Sequence, residues 1–166
     1  MSVCSCARNQ QLPQIPTQRH KTTIKKISGP HISGDALDIC GNYVLMGAAK
    51  SSDQLQVYDL RTFKPVKNID WFNGISSPEE PCMVYTASFC QASGGKLCVA
   101  GGTCSDKAGQ AASPTVKVFD WETGEIKLSS ALGSVSSVDF SPDGTKLAAG
   151  TGDGIVKEFD TTSLLA

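Results

Sequence analysis

The stretch Val135-Ser-Ser-Val-Asp-Phe140-Ser-Pro-Asp-Gly144-Thr-Lys-Leu147-Ala-Ala-Gly150-Thr-Gly-Asp153-Gly-Ile155-Val-Lys-Glu-Phe159-Asp160 decides the fold. It holds an alternating run, a Pro-Asp-Gly turn, a second apolar run, a Gly-Asp-Gly turn and a third run. Alternation of apolar and polar residues suits a strand with one buried face. Pro142 pre-sets φ for the first turn, and Gly144 reaches conformations that a Cβ forbids. The stretch therefore reads as three short antiparallel strands in a meander.

The same order recurs upstream. Val84-Tyr-Thr-Ala-Ser-Phe89 corresponds to the first run, Gly94-Gly-Lys-Leu-Cys-Val-Ala-Gly-Gly102 to the turn and second run, and Thr115-Val-Lys-Val-Phe119-Asp120 to the third. Earlier still, Asp35-Ala-Leu-Asp-Ile39 precedes Gly41-Asn-Tyr-Val-Leu-Met-Gly47 and then Gln54-Leu-Gln-Val-Tyr58-Asp59. The aromatic-Asp endings fall at 58–59, 119–120 and 159–160. The last two lie 40 residues apart, the length of a four-stranded repeat. The first two lie 61 apart, with the excess mostly in 71–83 and 103–114, both loop-like in composition. Thr22–Ile27, Thr62–Ile69 and Gly124–Ser129 are further candidate strands, and Pro65 suits an edge. Each unit is an outer strand followed by three inner ones. The boundaries are a flexible basic arm over 1–21 and repeats over about 22–60, 61–121 and 122–166.

On these residues, above all 138–160, the chain resembles the WD40 β-propeller family over about residues 22–165. The resemblance implies an all-β fold of four-stranded antiparallel blades. Tyr58, Phe119 and Phe159 stand where the family often has Trp, and Gly29-Pro-His31 is only a near match to its Gly-His pair. The family's buried His–Ser/Thr–Trp–Asp network is therefore incomplete. Asp143, Gly144 and Asp153 match turn positions and read as structural. Glu158 occupies a usually apolar strand position, so it faces solvent or is locally costly. The family usually closes a ring of about seven blades, whereas three repeats form an incomplete ring. Two uncovered apolar faces are then expected, and such faces mark interfaces. The arc would be a fragment or short isoform, or would be completed by a second copy or another propeller chain.

Composition narrows the function. The chain has 166 residues, 40% of them apolar, enough for one packed domain. Fifteen basic residues oppose sixteen acidic ones, which disfavours a dedicated nucleic-acid binder. No uncharged apolar run approaches the roughly 18 residues of a membrane span, and the N-terminus lacks a secretory h-region. A cytoplasmic protein is expected, with nuclear or ciliary placement open. Residues 1–28 carry Arg8, Arg19, Lys21, Lys25 and Lys26 and no acid. That arm is a soluble terminus or, alternatively, a contact for RNA or an anionic surface. The seven cysteines include no C-x2-C pair, and Cys4 and Cys6 lack companions for a zinc site. Reduced thiols are the expectation.

Motifs for catalysis are missing. There is no G-x-S-x-G, H-E-x-x-H or Walker A sequence. The Gly-rich stretches 101–103 and 150–154 open no helix that could cradle phosphate. His31 reads as a turn residue or, alternatively, a general base. Asp35 and Asp38 read as routine strand positions or as a carboxylate pair. No cofactor is implied. The expected function is non-catalytic protein–protein scaffolding through 71–83 and 103–114, which the family geometry would put at one end of the ring. Trp71, Phe72, Glu79, Glu80, Asp106 and Lys107 are the candidate contact residues, with exposed aromatics as anchors. Glu79-Glu80 reads otherwise as a solvated tip, and Trp121 as partly packed on a sheet edge.

Overall fold

The computed structural model describes residues 26–50, 52–72, 82–104 and 115–165. Among these the chain is all-β. In chain order the strands are β1 (Leu37–Cys40), β2 (Tyr43–Gly47), β3 (Ala49–Lys50), β4 (Leu55–Asp59), β5 (Lys64–Ile69) and β6 (Cys82–Phe89). Then come β7 (Leu97–Thr103), β8 (Val116–Asp120), β9 (Glu125–Ser130), β10 (Val135–Phe140), β11 (Lys146–Thr151) and β12 (Val156–Asp160). They form three antiparallel sheets, none closed: β1-β2-β4-β5, β3-β6-β7-β8-β9 and β10-β11-β12.

The repeats extend to the irregularities. A bulge interrupts β6–β7 between Val84 and Thr86, and another interrupts β10–β11 between Val135 and Ser137. A second kind falls between Val57 and Tyr58 in β4–β5 and between Val118 and Phe119 in β8–β9. Bulges add twist at fixed positions, so equivalent sheets bend alike.

The aromatic-Asp endings have a local cause. Asp59 Oδ1 accepts the Arg61 N–H at 2.7 Å, Asp120 Oδ1 the Glu122 and Thr123 N–H groups at 3.1 Å, and Asp160 Oδ1 the Thr162 N–H at 2.9 Å. A short carboxylate thus closes the turn after each third strand by satisfying backbone donors. The Arg61 side-chain hydrogen bond to Asp59, 2.7 Å at its closest, also lowers that carboxyl to about 2.

Sheet ownership differs from the sequence units. β5 and β9 pair with the strands that precede them, so each completes the sheet of the repeat before it. Pro65 sits in the edge strand β5, where its missing N–H costs no central ladder bond. Of Thr22–Ile27, residues 22–25 lie outside the described residues, as does the arm over 1–21. Lys26 and Ile27 are not in a strand, and Ile27 packs against Val44, Met46 and Tyr58.

The second sheet is buried on both faces. Cys98, Ala100 and Phe119 pack with Leu45, Leu55, Val57 and Trp71 toward the first sheet. Leu97, Val99, Val116 and Val118 pack with Val135, Val138, Leu147 and Ala149 toward the third. A strand covered on both sides needs a continuous apolar run, which Leu97–Gly102 supplies. Gly101 and Gly102 let neighbours close in: a Cβ on Gly101 would lie 2.5 Å from Val135 Cγ1.

Of the two faces expected to be uncovered and apolar, the first sheet's is partly covered and the third sheet's is mostly polar. On the first sheet's outer face Val44, Met46 and Tyr58 are covered by Ile27, Ile32 and Leu60, while Leu37 and Ile39, opposite Met46 and Val44, stand half exposed. On the third sheet, Ser137, Gly150 and Val156 are aligned across the strands, as are Asp139, Ala148 and Glu158. Of these only Val156 is large and apolar. Glu158 is exposed and ion-paired with Lys146 at 3.0 Å, the solvent-facing alternative for this residue. Polar and small side chains are what keep such a face in water.

Candidate functional site

Strands β1, β6 and β10, one from each sheet, lie side by side and frame a cleft of about 300 Å³. Its wall includes Asp35, Asp38, Thr86, Ser88, Ser137 and Asp139. The strands are stitched together by named bonds. The Ala87 N–H donates to the Asp35 carbonyl at 3.1 Å, joining β6 to the residue preceding β1 by two positions. The Phe89 N–H donates to Asp38 Oδ2 at 2.7 Å. The Val138 N–H donates to Thr86 Oγ1 at 3.2 Å, joining β10 to β6. The Ser88 hydroxyl lies between Asp38 Oδ2 at 3.2 Å and Asp139 Oδ1 at 3.3 Å.

Asp38, Ser88 and Asp139 are equivalent positions, each just before an apolar residue that ends or nearly ends its strand: Ile39, Phe89 and Phe140. In both aspartates Oδ1 also accepts the N–H of the following residue, at 2.7 Å for Ile39 and 2.9 Å for Phe140. These carboxylates are occupied as acceptors from backbone and hydroxyl. Among the described residues no imidazole lines the cleft beside this serine, since His31 is exposed and outside the cleft wall. Among the described residues, no group of three or more His, Cys, Asp or Glu could hold a metal ion.

Trp71 does not present an exposed ring. It is fully buried, and its ring meets Phe119 edge-on with centroids 6.0 Å apart. Its N–H donates to Gln54 Oε1 at 2.8 Å, and its carbonyl accepts from Lys117 Nζ. Gln54 and Lys117 are themselves buried, so each needs a polar partner, and the Trp71 backbone supplies both. Lys117 Nζ also stands 5.0 Å from the centroid of the Trp71 ring and 6.0 Å from that of Phe72. Burial lowers the Lys117 pKa against the opposing pull of Cys104, Cys82 and Asp70. Phe72 is half-buried on the same cluster. Trp121 is buried, donating Nε1–H to the Gly95 carbonyl at 2.7 Å and packing on Tyr43.

Glu79, Glu80, Asp106 and Lys107 lie outside the described residues. The residues flanking their segments meet at one end of the second sheet. Trp71 touches Lys117, and Cys82 touches Cys104 with Sγ atoms 2.8 Å apart.

The turn residues occupy tight local networks. Asp143 Oδ1 accepts from Ser141 Oγ at 2.6 Å and Thr145 Oγ1 at 2.9 Å, which helps hold its pKa low. Gly144 takes φ of 71°, and a Cβ there would lie 2.8 Å from Ala92 Cβ. Asp153 accepts the Thr151 hydroxyl, which lowers its pKa.

Sequence reasoning missed Gln54, Lys117 and Ser88, as well as the pairing of Cys82 with Cys104. Gln54 and Lys117 carried no signal, because polar residues in alternating strands are read as solvent-facing. The cysteine pair had one: both are equidistant from Ser93, in the connection between two strands that form a hairpin. The chain matches no protein-family model and no curated protein.

Proposed function

We propose that the chain is a non-catalytic protein-interaction scaffold of the WD40 type, its three sheets being consecutive blades of an incomplete ring. The observation that carries this reading is the series Asp38, Ser88, Asp139. Asp38 reaches from the first sheet to the Phe89 N–H of the second, and Ser88 reaches from the second to Asp139 of the third. Asp139 shares its face with Ala148 and Glu158, where no further sheet follows among the described residues. A β-strand of another protein chain has the backbone donors that this position accepts elsewhere in the molecule. The occupant is another propeller chain or a second copy that continues the ring. The segments 73–81 and 105–114, whose flanks gather at one end, enlarge the contact. The engagement of both carboxylates by backbone donors favours binding over catalysis.

Size-exclusion chromatography with light scattering tests this on the purified chain and on the variant Asp139→Arg. A discrete oligomer, or a stoichiometric complex with a propeller partner, that the variant dissociates is expected. A monodisperse monomer whose interactions are indifferent to Asp139→Arg overturns the reading.

A further inference from the structure

We propose that Cys82 and Cys104 are a reversible dithiol–disulfide pair that staples the outer ends of β6 and β7, with a small-molecule disulfide such as oxidised glutathione as the oxidant. The strand register sets the pair up. Met83 faces Thr103, so Cys82 and Cys104 are opposite one another one position further out. Directly opposed residues of antiparallel strands have Cα atoms about 4.5–5.5 Å apart. That lies within the range a disulfide spans, about 4.4–6.8 Å. The side chains already point at each other, with Sγ atoms 2.8 Å apart and one S–H donating to the other sulfur.

The surroundings divide the two roles. Cys82 is fully buried, and its thiol is pushed up by the Cys104 hydrogen bond and by burial. It therefore holds its proton, while the Cys104 S–H donates to its sulfur. Cys104 keeps 7% exposure against none for Cys82, so it is the more accessible residue of the two and the one assigned to meet the oxidant. The Lys117 ammonium lies close enough to both thiols to feel their charge. A nearby cation stabilises a thiolate, the reactive form.

The chemistry balances as thiol–disulfide exchange. The Cys104 thiolate attacks one sulfur of oxidised glutathione, that S–S bond breaks, and one glutathione thiolate leaves. The Cys82 sulfur then attacks Cys104 in the mixed disulfide and loses its proton to the second departing glutathione. Two protein thiols are oxidised to one disulfide, and one oxidised glutathione is reduced to two thiols. The bond ties together the residues where segments 73–81 and 105–114 join the sheet. Cys98 is the internal control: it is sealed in the core, with its thiol pushed up by burial.

The test equilibrates the full chain across ratios of reduced to oxidised glutathione, quenches with acid, alkylates in denaturant and maps peptides by mass. Expected is a Cys82–Cys104 linkage, lighter by two hydrogens, that appears along a single two-electron curve and is reversed by reductant. Cys98 stays alkylatable throughout. The thermal midpoint of the oxidised chain rises by about 10 °C. Lys117→Met slows formation of the linkage several-fold and leaves its identity unchanged. Cys82 and Cys104 remaining alkylatable at every ratio overturns the proposal. So does Cys104 stopping at the mixed disulfide, or linkage of either residue to another cysteine. The mapping uses the wild-type chain, so it does not depend on whether a cysteine variant folds.

Discussion

Lys117 and Lys157 stand at the same place in two sheets, each following a valine at the start of a third strand, and they live in opposite worlds. In β8 every residue is buried, and Lys117 keeps 6% exposure. In β12, four of five residues are exposed, Lys157 among them, and Val156 shows 74% of its surface. The third strand of the first sheet, β4, is buried throughout like β8. The difference lies in what flanks them. β4 and β8 each pair on both edges, with β5 and β9 outside them, whereas β12 pairs only with β11. A residue's environment here is set by the neighbouring sheet and strand, and local sequence contributes little.

The largest test of that contrast is the aromatic at the fourth position. Phe119→Ala should cost about 3–5 kcal/mol, because a fully buried ring leaves a cavity. Phe159→Ala, at a half-buried ring, should cost about 1–2 kcal/mol. Urea unfolding measures both, and equal losses would break the comparison. Next come the lysines. Lys117→Ala removes a buried hydrogen bond to the Trp71 carbonyl and should cost about 1–3 kcal/mol, against less than about 0.5 kcal/mol for Lys157→Ala. Equal effects by chemical denaturation would mean that Lys117 is not held as described.

The capped turns sharpen the comparison further. Gly124 (φ 81°) and Phe63 (φ 57°) are counterparts, each donating its N–H at 2.7 Å to the Asp that opens the turn. Gly124→Ala places a Cβ at this left-handed position and should lower stability by about 1 kcal/mol in a thermal melt. A neutral result would show that the second turn accepts a Cβ at a left-handed φ, as the first does at Phe63.

The smallest effect expected is on the acid limb. The Arg61 hydrogen bond holds the Asp59 carboxyl at about 2, below its ordinary 3.8. A depressed pKa gives stability that is present above 3.8 and is lost as pH falls toward 2. Asp59→Asn should be less stable at neutral pH and less sensitive to acid in that window. An unchanged acid slope would remove the ion pair from the account.

Much of this was legible in the chain. Repeated aromatic-Asp endings and Pro-Asp-Gly and Gly-Asp-Gly turns mark strand ends through local chemistry, and the structure puts turns there. The all-β architecture follows from them. What was not legible depended on partners distant in sequence. Trp71 sits beside a polar, loop-like segment, and its burial depends on distant partners: Phe119 against its ring, and Gln54 and Lys117, 17 and 46 residues away, on its backbone. Asp38 read as a routine strand position or as one half of a carboxylate pair with Asp35. Its role appears only when Phe89, 51 residues on, is brought alongside. The pairing of Ala49 and Lys50 with the second sheet has no sequence signature, since two residues cannot display a period.

That short strand decides how the molecule comes apart. β3 follows β2 of the first sheet along the chain, yet pairs with Met83 and Cys82 of the second. Together with the Ala87-to-Asp35 bond it joins those sheets backbone to backbone. Between the second and third sheets, the hydrogen bonds among described residues run through side chains, at Thr86, Ser88, Thr103 and Thr115. Arrays of repeats melt unit by unit when their junctions are weak. The first two sheets should therefore exchange their amide protons as one cooperative block, while the third frays earlier and alone.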